Sequence, residues 1–171
     1  MPRSGIPAGI GFAKTLNVPC HHAIIAEDKR TFIESDPTKR RQKADEKYQI
    51  VEDMVRGKIV VVVDDSCIKG LTVSTITKKL FEAGAKEVHF RSASPEYIFP
   101  CAYGASTKDV ENLFARDKNK EDRRRAAGSP TSLEFLSIKR FKSIIERFGR
   151  GHCYACFTGE YPVPLQNSHV A

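Results

Sequence analysis

No apolar run in the 171-residue sequence approaches the roughly 20 residues that a helix needs to span a bilayer. A secretory signal is also lacking, because Lys14 follows the weak apolar run 6–12 closely and no cleavage site is present. Internal repeats and low-complexity segments are absent as well. These absences argue against a membrane protein, a secreted protein and a repeat array, and they predict a cytoplasmic location.

Cysteine is scarce and odd in number, with 5 residues at positions 20, 67, 101, 153 and 156. An odd count without a secretory signal argues against a disulfide framework. Cys153 and Cys156 form a CxxC motif, which by itself is compatible with metal binding, redox activity or chance. Cys20 belongs to no motif, and we interpret it as a small buried hydrophobic residue.

The remaining composition, with 40% hydrophobic and 29% charged residues, is typical of one globular domain. The net charge of +7 favours an anionic partner, either a phosphorylated metabolite or a nucleic acid, although a solvated surface explains it too. No homeodomain, zinc-finger or RNP-type motif accompanies the basic clusters 39–41 and 123–125. Nucleic-acid binding is therefore not expected.

A strand–loop–helix–strand unit stands out between residues 59 and 90. Five consecutive β-branched residues, Ile59 to Val63, predict a strand buried on both faces of a parallel sheet. Apolar residues at 73, 76 and 80 predict a helix over 72–83, and a second strand follows over 88–90. This βαβ pattern predicts an α/β fold. Weaker patterns predict helices over 5–17, 40–55, 108–114 and 116–127, strands over 23–25 and 133–136, and a helix capped by Ser137.

Two adjacent acids, Asp64 and Asp65, directly follow the predicted buried strand. Ligands of parallel sheets bind outside the carboxyl ends of the strands, so these carboxylates are placed to face a ligand. The loop 66–72 then leads into a helix N-terminus, whose free N–H groups and dipole favour a phosphate. Gly70 permits close backbone approach, while the carboxylates face sugar hydroxyls or a bridging Mg²⁺. The alternative is that the acids only cap the following helix.

Residues Val60 to Thr72 resemble the phosphoribosyl diphosphate (PRPP) binding signature of type I phosphoribosyltransferases. That signature is a hydrophobic strand, two acids and a Ser/Thr-x-x-x-Gly-x-Thr loop. Leu71 stands where many members carry threonine, which removes one hydroxyl donor. The resemblance implies that Asp64 and Asp65 are catalytic. The loop residues that it implies in PRPP binding are Ser66, Cys67, Ile68, Lys69, Gly70, Leu71 and Thr72.

Further segments resemble the C-terminal half of the amidophosphoribosyltransferases, in order along nearly the whole chain. They are residues 1–5, 30–33, 82–89, 99–104 and the CxxC ending 153–162. The resemblance implies a type I phosphoribosyltransferase fold over 1–135, a mostly parallel sheet with flanking helices that is truncated at its N-terminus. A C-terminal helix and an irregular CxxC tail follow over 136–171. The family's glutaminase domain is expected before residue 1 and is absent from this chain.

The implied reaction forms 5-phosphoribosylamine from PRPP and ammonia, which the full enzyme takes from glutamine, in the first step of purine biosynthesis. The implied Mg²⁺ ligands are Ser4, Asp64 and Asp65, and Arg30 is implied in PRPP binding. In iron–sulfur members the ligands of a [4Fe–4S] cluster match Cys101, Cys153 and Cys156, with the fourth ligand before residue 1. Cys67 stands where isoleucine is usual, and we interpret it as a packing or backbone-contact residue. Feedback inhibition by purine nucleotides and a homo-oligomer are implied as well.

Several residues depart from the family pattern around the substrate. Arg3 replaces the usual acid, Asp45 replaces the usual arginine, and the loop 25–29 is shorter and more acidic. The lost basic groups are expected to weaken the binding of an anionic substrate. Two other functions stay open. One is a free-standing base phosphoribosyltransferase, which leaves Cys101 and the CxxC ending unexplained; the other is a non-catalytic regulator that binds PRPP or nucleotides.

Overall fold

The computed structural model describes residues 1–26, 47–101, 103 and 113–163. In chain order its helices and strands are α1 Ile6–Leu16, β1 Ile24–Ala26, β2 Tyr48–Ile50, α2 Glu52–Val55, β3 Ile59–Asp64, α3 Leu71–Glu82, β4 Glu87–Ser92, α4 Lys120–Ala126, β5 Ser132–Phe135, α5 Ile138–Ile145 and α6 Ala155–Thr158. Single 3₁₀ turns at Arg3–Gly5 and Glu146–Phe148 precede α1 and follow α5.

A parallel sheet in the order β3-β4-β5 forms the centre of the fold. Its register places Val62 opposite Phe90, and Phe90 opposite Leu133, so these buried side chains share one face of the sheet. Helix α3 buries its predicted apolar stripe, residues 73, 76 and 80, in the same core. The βαβ unit predicted from the sequence is therefore confirmed, with the helix shifted by one residue.

Strand β3 is less buried than its run of β-branched residues predicted. Val62, Val63 and Asp64 are buried, but Ile59 and Val61 are 59% and 41% exposed. The prediction of burial on both faces is wrong for the first half of the strand. The reason is that β3 lies at the edge of the described sheet, and α1 covers it near Val63, where Gly9 faces the valine side chain.

The helix predicted over 40–55 is also wrong in its described part. Tyr48–Ile50 is a strand that pairs antiparallel with Ile24–Ala26, and only Glu52–Val55 is helical. Pairing with a distant strand supplies the backbone partners there, and Tyr48 enters the core. Residues 40–46 of this predicted helix lie outside the described residues. Of the helix predicted over 108–114, residues 108–112 also lie outside them, and its last residue, Phe114, lies in a turn.

The later elements follow the prediction closely. Helix α4 forms within the basic stretch 116–127, and β5 forms within one residue of the predicted strand. Ser137 caps α5, because its side chain accepts a hydrogen bond from the N–H of Arg140 at 3.4 Å. No helix among the described residues is long and apolar enough to cross a membrane.

Aromatic contacts hold the C-terminal segment on the rest of the fold. The Phe141 ring of α5 packs edge-on against Phe157 of α6 at 5.4 Å, and Phe157 packs against Tyr97 at 4.8 Å. The N–H groups of Ile98 and Phe99 both donate to the carbonyl of Cys156 at 3.1 Å. The boundary between a domain over 1–135 and a C-terminal segment over 136–171 stays a prediction.

Candidate functional site

The carboxyl end of β3 opens into a cavity of about 300 Å³. Asp64 ends the strand, the loop Ser66–Gly70 curves around the cavity, and α3 begins at Leu71. The lining residues are Asp64 and the continuous segment from Ser66 to Val73. The structure therefore brings the predicted phosphate loop and the buried member of the acidic pair together at one edge of the sheet.

The loop presents unpaired backbone donors. Within the described residues, no acceptor is found for the N–H groups of Ser66, Ile68 and Lys69. The first N–H groups of α3 add to them, because Gly70 is the N-cap residue and no side chain caps this helix. The alternative that the two acids merely cap α3 is therefore wrong. Donors arranged in this way, at a helix N-terminus, suit a phosphate group.

A residue distant in sequence supports this loop. Gly70 has a φ of +75°, and a Cβ added there would overlap the Phe114 ring, lying 2.7 Å from Cε2. The N–H of Phe114 donates to the carbonyl of Ile68 at 2.7 Å. The sequence analysis missed Phe114, because nothing in its local pattern signals a contact with a loop 44 residues earlier.

The acidic pair is joined to the N-terminal segment. Ser4 Oγ donates to Asp65 Oδ1 at 2.9 Å, and the N–H of Asp65 donates to Asp64 Oδ1 at 3.1 Å. Gly5 permits this approach, since a Cβ there would lie 2.8 Å from Asp64 Oδ1. The structure thus places Ser4 beside the two carboxylates, as the sequence predicted.

Asp64 is the electrostatically unusual member of the pair. Only 8% of it is exposed, and burial, followed by the neighbouring Asp65, raises the pKa of its carboxyl to about 7. The amino group of Met1, which donates to the carbonyl of Val63, opposes this rise. A divalent cation would relieve the repulsion between the two acids. The hard oxygen donors of Ser4, Asp64 and Asp65 therefore fit Mg²⁺.

Comparison with known proteins identifies homologues of the chain. No family model matches the chain. It is 40% identical over 169 residues to the chloroplastic amidophosphoribosyltransferase of Vigna aconitifolia, across 98% of this chain and 35% of that protein. Identity to the amidophosphoribosyltransferase of Archaeoglobus fulgidus is 39% over 169 residues, across 96% of this chain and 37% of that protein. The chain is homologous to one part of the amidophosphoribosyltransferases.

Solved structures agree with this assignment. The glutamine PRPP amidotransferase of B. subtilis, complexed with ADP and GMP, matches with a TM-score of 0.83 and 37% identity, over 97% of this chain and 38% of that one. The chain therefore has the type I phosphoribosyltransferase fold of the amidophosphoribosyltransferases. It spans about a third of the length of the curated relatives it matches.

The cysteines implied as cluster ligands in amidophosphoribosyltransferases are neighbours but do not form a metal site. Burial, followed by the nearby Cys101 and Cys153, raises the pKa of the Cys156 thiol. In residues 1–26, 47–101, 103 and 113–163, no group of three or more His, Cys, Asp or Glu side chains is arranged to hold a metal ion. The cluster therefore stays a prediction, and no chemical step is derived from it.

The predictions for the two remaining cysteines have different outcomes. Cys67 is 2% exposed, and burial raises the pKa of its thiol to about 12, as fits a packing residue beneath the loop. Cys20 is exposed, so its interpretation as a buried hydrophobic residue is wrong. It lies in the irregular chain between α1 and β1.

Other predicted substrate contacts differ in how far the structure describes them. Lys69 is exposed beside the cavity, and Leu71 and Thr72 begin α3 at its edge. Arg30 and Asp45 lie outside the described residues, together with most of the loop 25–29. The described residues thus include the predicted phosphate loop and the acidic pair, but not Arg30.

Proposed function

We propose that this chain is the phosphoribosyltransferase part of an amidophosphoribosyltransferase and forms 5-phosphoribosylamine from PRPP and ammonia. In a complete enzyme the ammonia comes from glutamine, and the reaction opens purine biosynthesis. The single observation that carries the proposal is the convergence of a donor-rich loop and a two-acid cluster around one cavity.

The loop provides the site for the 5′-phosphate of PRPP. The N–H groups of Ser66, Ile68 and Lys69 and the first turn of α3 favour an anion, since these donors have no acceptor among the residues that the structure describes. The hydroxyl of Thr72 and the ammonium group of Lys69 add polar contacts at the rim. Leu71 adds none, which is expected to weaken this subsite relative to members with threonine.

The acids act on the ribose. In the reaction the bond between C1 and the diphosphate oxygen breaks, ammonia forms the new C1–N bond, and one proton is released. Asp64 and Asp65 accept hydrogen bonds from ribose hydroxyls and offer negative charge while positive charge develops at C1. Ser4, Asp64 and Asp65 would hold Mg²⁺, and the bound ion would neutralise negative charge on the leaving diphosphate.

Calorimetric titration with PRPP, with and without Mg²⁺, tests this proposal. We expect saturable binding that depends on Mg²⁺. Absence of saturable binding with Mg²⁺ present would contradict both enzyme functions considered for the chain. Product analysis with ammonia and, separately, with purine bases then distinguishes 5-phosphoribosylamine formation from nucleotide formation by a base phosphoribosyltransferase.

Regulation, assembly, cofactor and location extend the same proposal. The B. subtilis relative was solved with ADP and GMP, which supports purine nucleotides as feedback inhibitors of this chain as well. A homo-oligomer is measurable by light scattering, and a cytoplasmic location by cell fractionation. Assay of iron and sulfide after anaerobic purification tests whether Cys101, Cys153 and Cys156 take part in the [4Fe–4S] cluster that the resemblance implies.

A further inference from the structure

The support beneath the phosphate loop comes from a buried segment that precedes α4. Leu113, Phe114 and Ala115 are 0%, 3% and 2% exposed, although they lie in irregular chain. The Phe114 ring packs against Phe135 at the end of β5, with 6.4 Å between the ring centroids. The segment is therefore anchored in the core on one side, and its other side faces the loop.

The first contact with the loop is steric. The Phe114 ring occupies the space where any side chain at residue 70 would lie, with Cε2 2.7 Å and Cγ 3.0 Å from an added Cβ. Gly70 has the left-handed φ of +75° that lets the chain enter α3 directly. Because glycine has many accessible conformations, the packed ring restricts this residue to one of them.

The second contact is a hydrogen bond that sets the direction of a peptide group. The N–H of Phe114 donates to the carbonyl of Ile68 at 2.7 Å, so this carbonyl points toward residue 114. In a trans peptide the C=O and the following N–H point in opposite directions. The N–H of Lys69 therefore points away from Phe114, and within the described residues it has no acceptor.

We propose that Phe114 is a positioning residue of the phosphate site, whose ring and backbone N–H hold Ile68–Gly70 in the conformation that offers the loop N–H groups to a phosphate. The inference rests on the proposed function, because it assigns the loop to the 5′-phosphate of PRPP. Phe114 does not touch the substrate; it acts through the loop.

The test compares three variants of the full chain. Phe114→Ala removes the ring but keeps the backbone N–H, and Phe114→Leu restores part of the packing. Leu80→Ala is the matched control, because Leu80 is 0% exposed on α3 and lies away from the loop. The measurements are the dissociation constant for PRPP with Mg²⁺, KM and kcat with ammonia, and the hydrogen exchange of the amides 66–70.

For Phe114→Ala we expect the dissociation constant and KM for PRPP to rise about tenfold or more, with a smaller change in kcat. Exchange of the loop amides should accelerate, and Phe114→Leu should recover part of both effects. Leu80→Ala should lower stability without changing either. Equal effects of Phe114→Ala and Leu80→Ala on PRPP binding would overturn the inference.

The same experiment separates this inference from the proposed function. If the wild-type chain does not bind PRPP, the proposed function fails, while the exchange rates still report whether Phe114 holds the loop. If the wild-type chain binds PRPP and Phe114→Ala binds it equally well with unchanged loop exchange, the inference fails and the proposed function stands.

Discussion

Replacing Asp64 by asparagine should make the protein more stable at alkaline pH while it removes Mg²⁺-dependent PRPP binding. The carboxyl is buried beside Asp65, and its pKa of about 7 lies above the ordinary value of 3.8. The folded protein therefore binds a proton that the unfolded chain releases. Such a group contributes its full stability below pH 4, and the contribution is lost as the pH rises through 7.

The size of the effect follows from the two pKa values. The difference between about 7 and 3.8 corresponds to an upper bound of about 4 kcal/mol above pH 8. The carboxylate borders an open cavity, so screening by solvent reduces this cost. We expect Asp64→Asn to raise the free energy of unfolding by ~2 kcal/mol at pH 8 and by much less at pH 5.

Urea unfolding at pH 5 and pH 8, with a chelator to remove divalent cations, measures this difference. The asparagine carbonyl can still accept the N–H of Asp65, so the local hydrogen bond is kept. Asp53→Asn is the control, because Asp53 is an exposed acid in the first turn of α2. If Asp64→Asn changes stability equally at both pH values, or lowers it at pH 8, the argument from a buried, repelled carboxylate is refuted.

Three further predictions concern the loop, the acidic pair and the aromatic contacts of the C-terminal segment. Gly70→Ala should abolish PRPP binding and destabilise the fold by more than about 2 kcal/mol, because the new methyl group meets a buried ring. Gly151→Ala, at a φ of +84° in open space, should cost only about 1 kcal/mol; thermal unfolding of both variants measures the difference. Ser4→Ala removes the hydroxyl that donates to Asp65 and should weaken Mg²⁺-dependent PRPP binding roughly tenfold by calorimetry, with unchanged stability. Phe141→Ala should lower the free energy of unfolding by about 2 kcal/mol, since its ring is half-buried between aromatic neighbours; an unchanged unfolding midpoint would contradict this packing.

The parts of the fold that were predicted correctly are those fixed by neighbours along the chain. The β-branched run before Asp64, the apolar stripe of α3 and the Ser137 cap act within a few residues, so their signals are readable in the sequence. The position of the loop Ser66–Gly70 between β3 and α3 belongs to the same group, while its binding of phosphate stays a prediction. Its length, its acids and Gly70 all stand within one short segment.

The parts that were missed depend on distant partners. Residues 48–50 look helical next to their neighbours but pair with β1, more than 20 residues earlier. Val61 has strong strand propensity, yet its exposure depends on which element covers the sheet edge. Phe114 has no local signal at all, because its function depends on where the fold brings Gly70. Contacts of this kind require the folded structure.

The site combines several features that are unfavourable in the protein alone. Asp64 is a buried acid beside a second acid, the loop N–H groups have no acceptors within the described part of the chain, and Gly70 is held in one conformation at an entropic cost. In the proposed function, two of these features are relieved by different parts of one ligand: Mg²⁺ reduces the repulsion between the acids, and a phosphate accepts hydrogen bonds from the N–H groups. Because the surrounding core, through Phe114, maintains the loop before any ligand arrives, binding need not reorganise it. If the proposed function holds, the stability lost at this edge of the sheet is the physical counterpart of an affinity for a phosphorylated, metal-bound substrate, and the stabilising substitution Asp64→Asn should abolish that affinity.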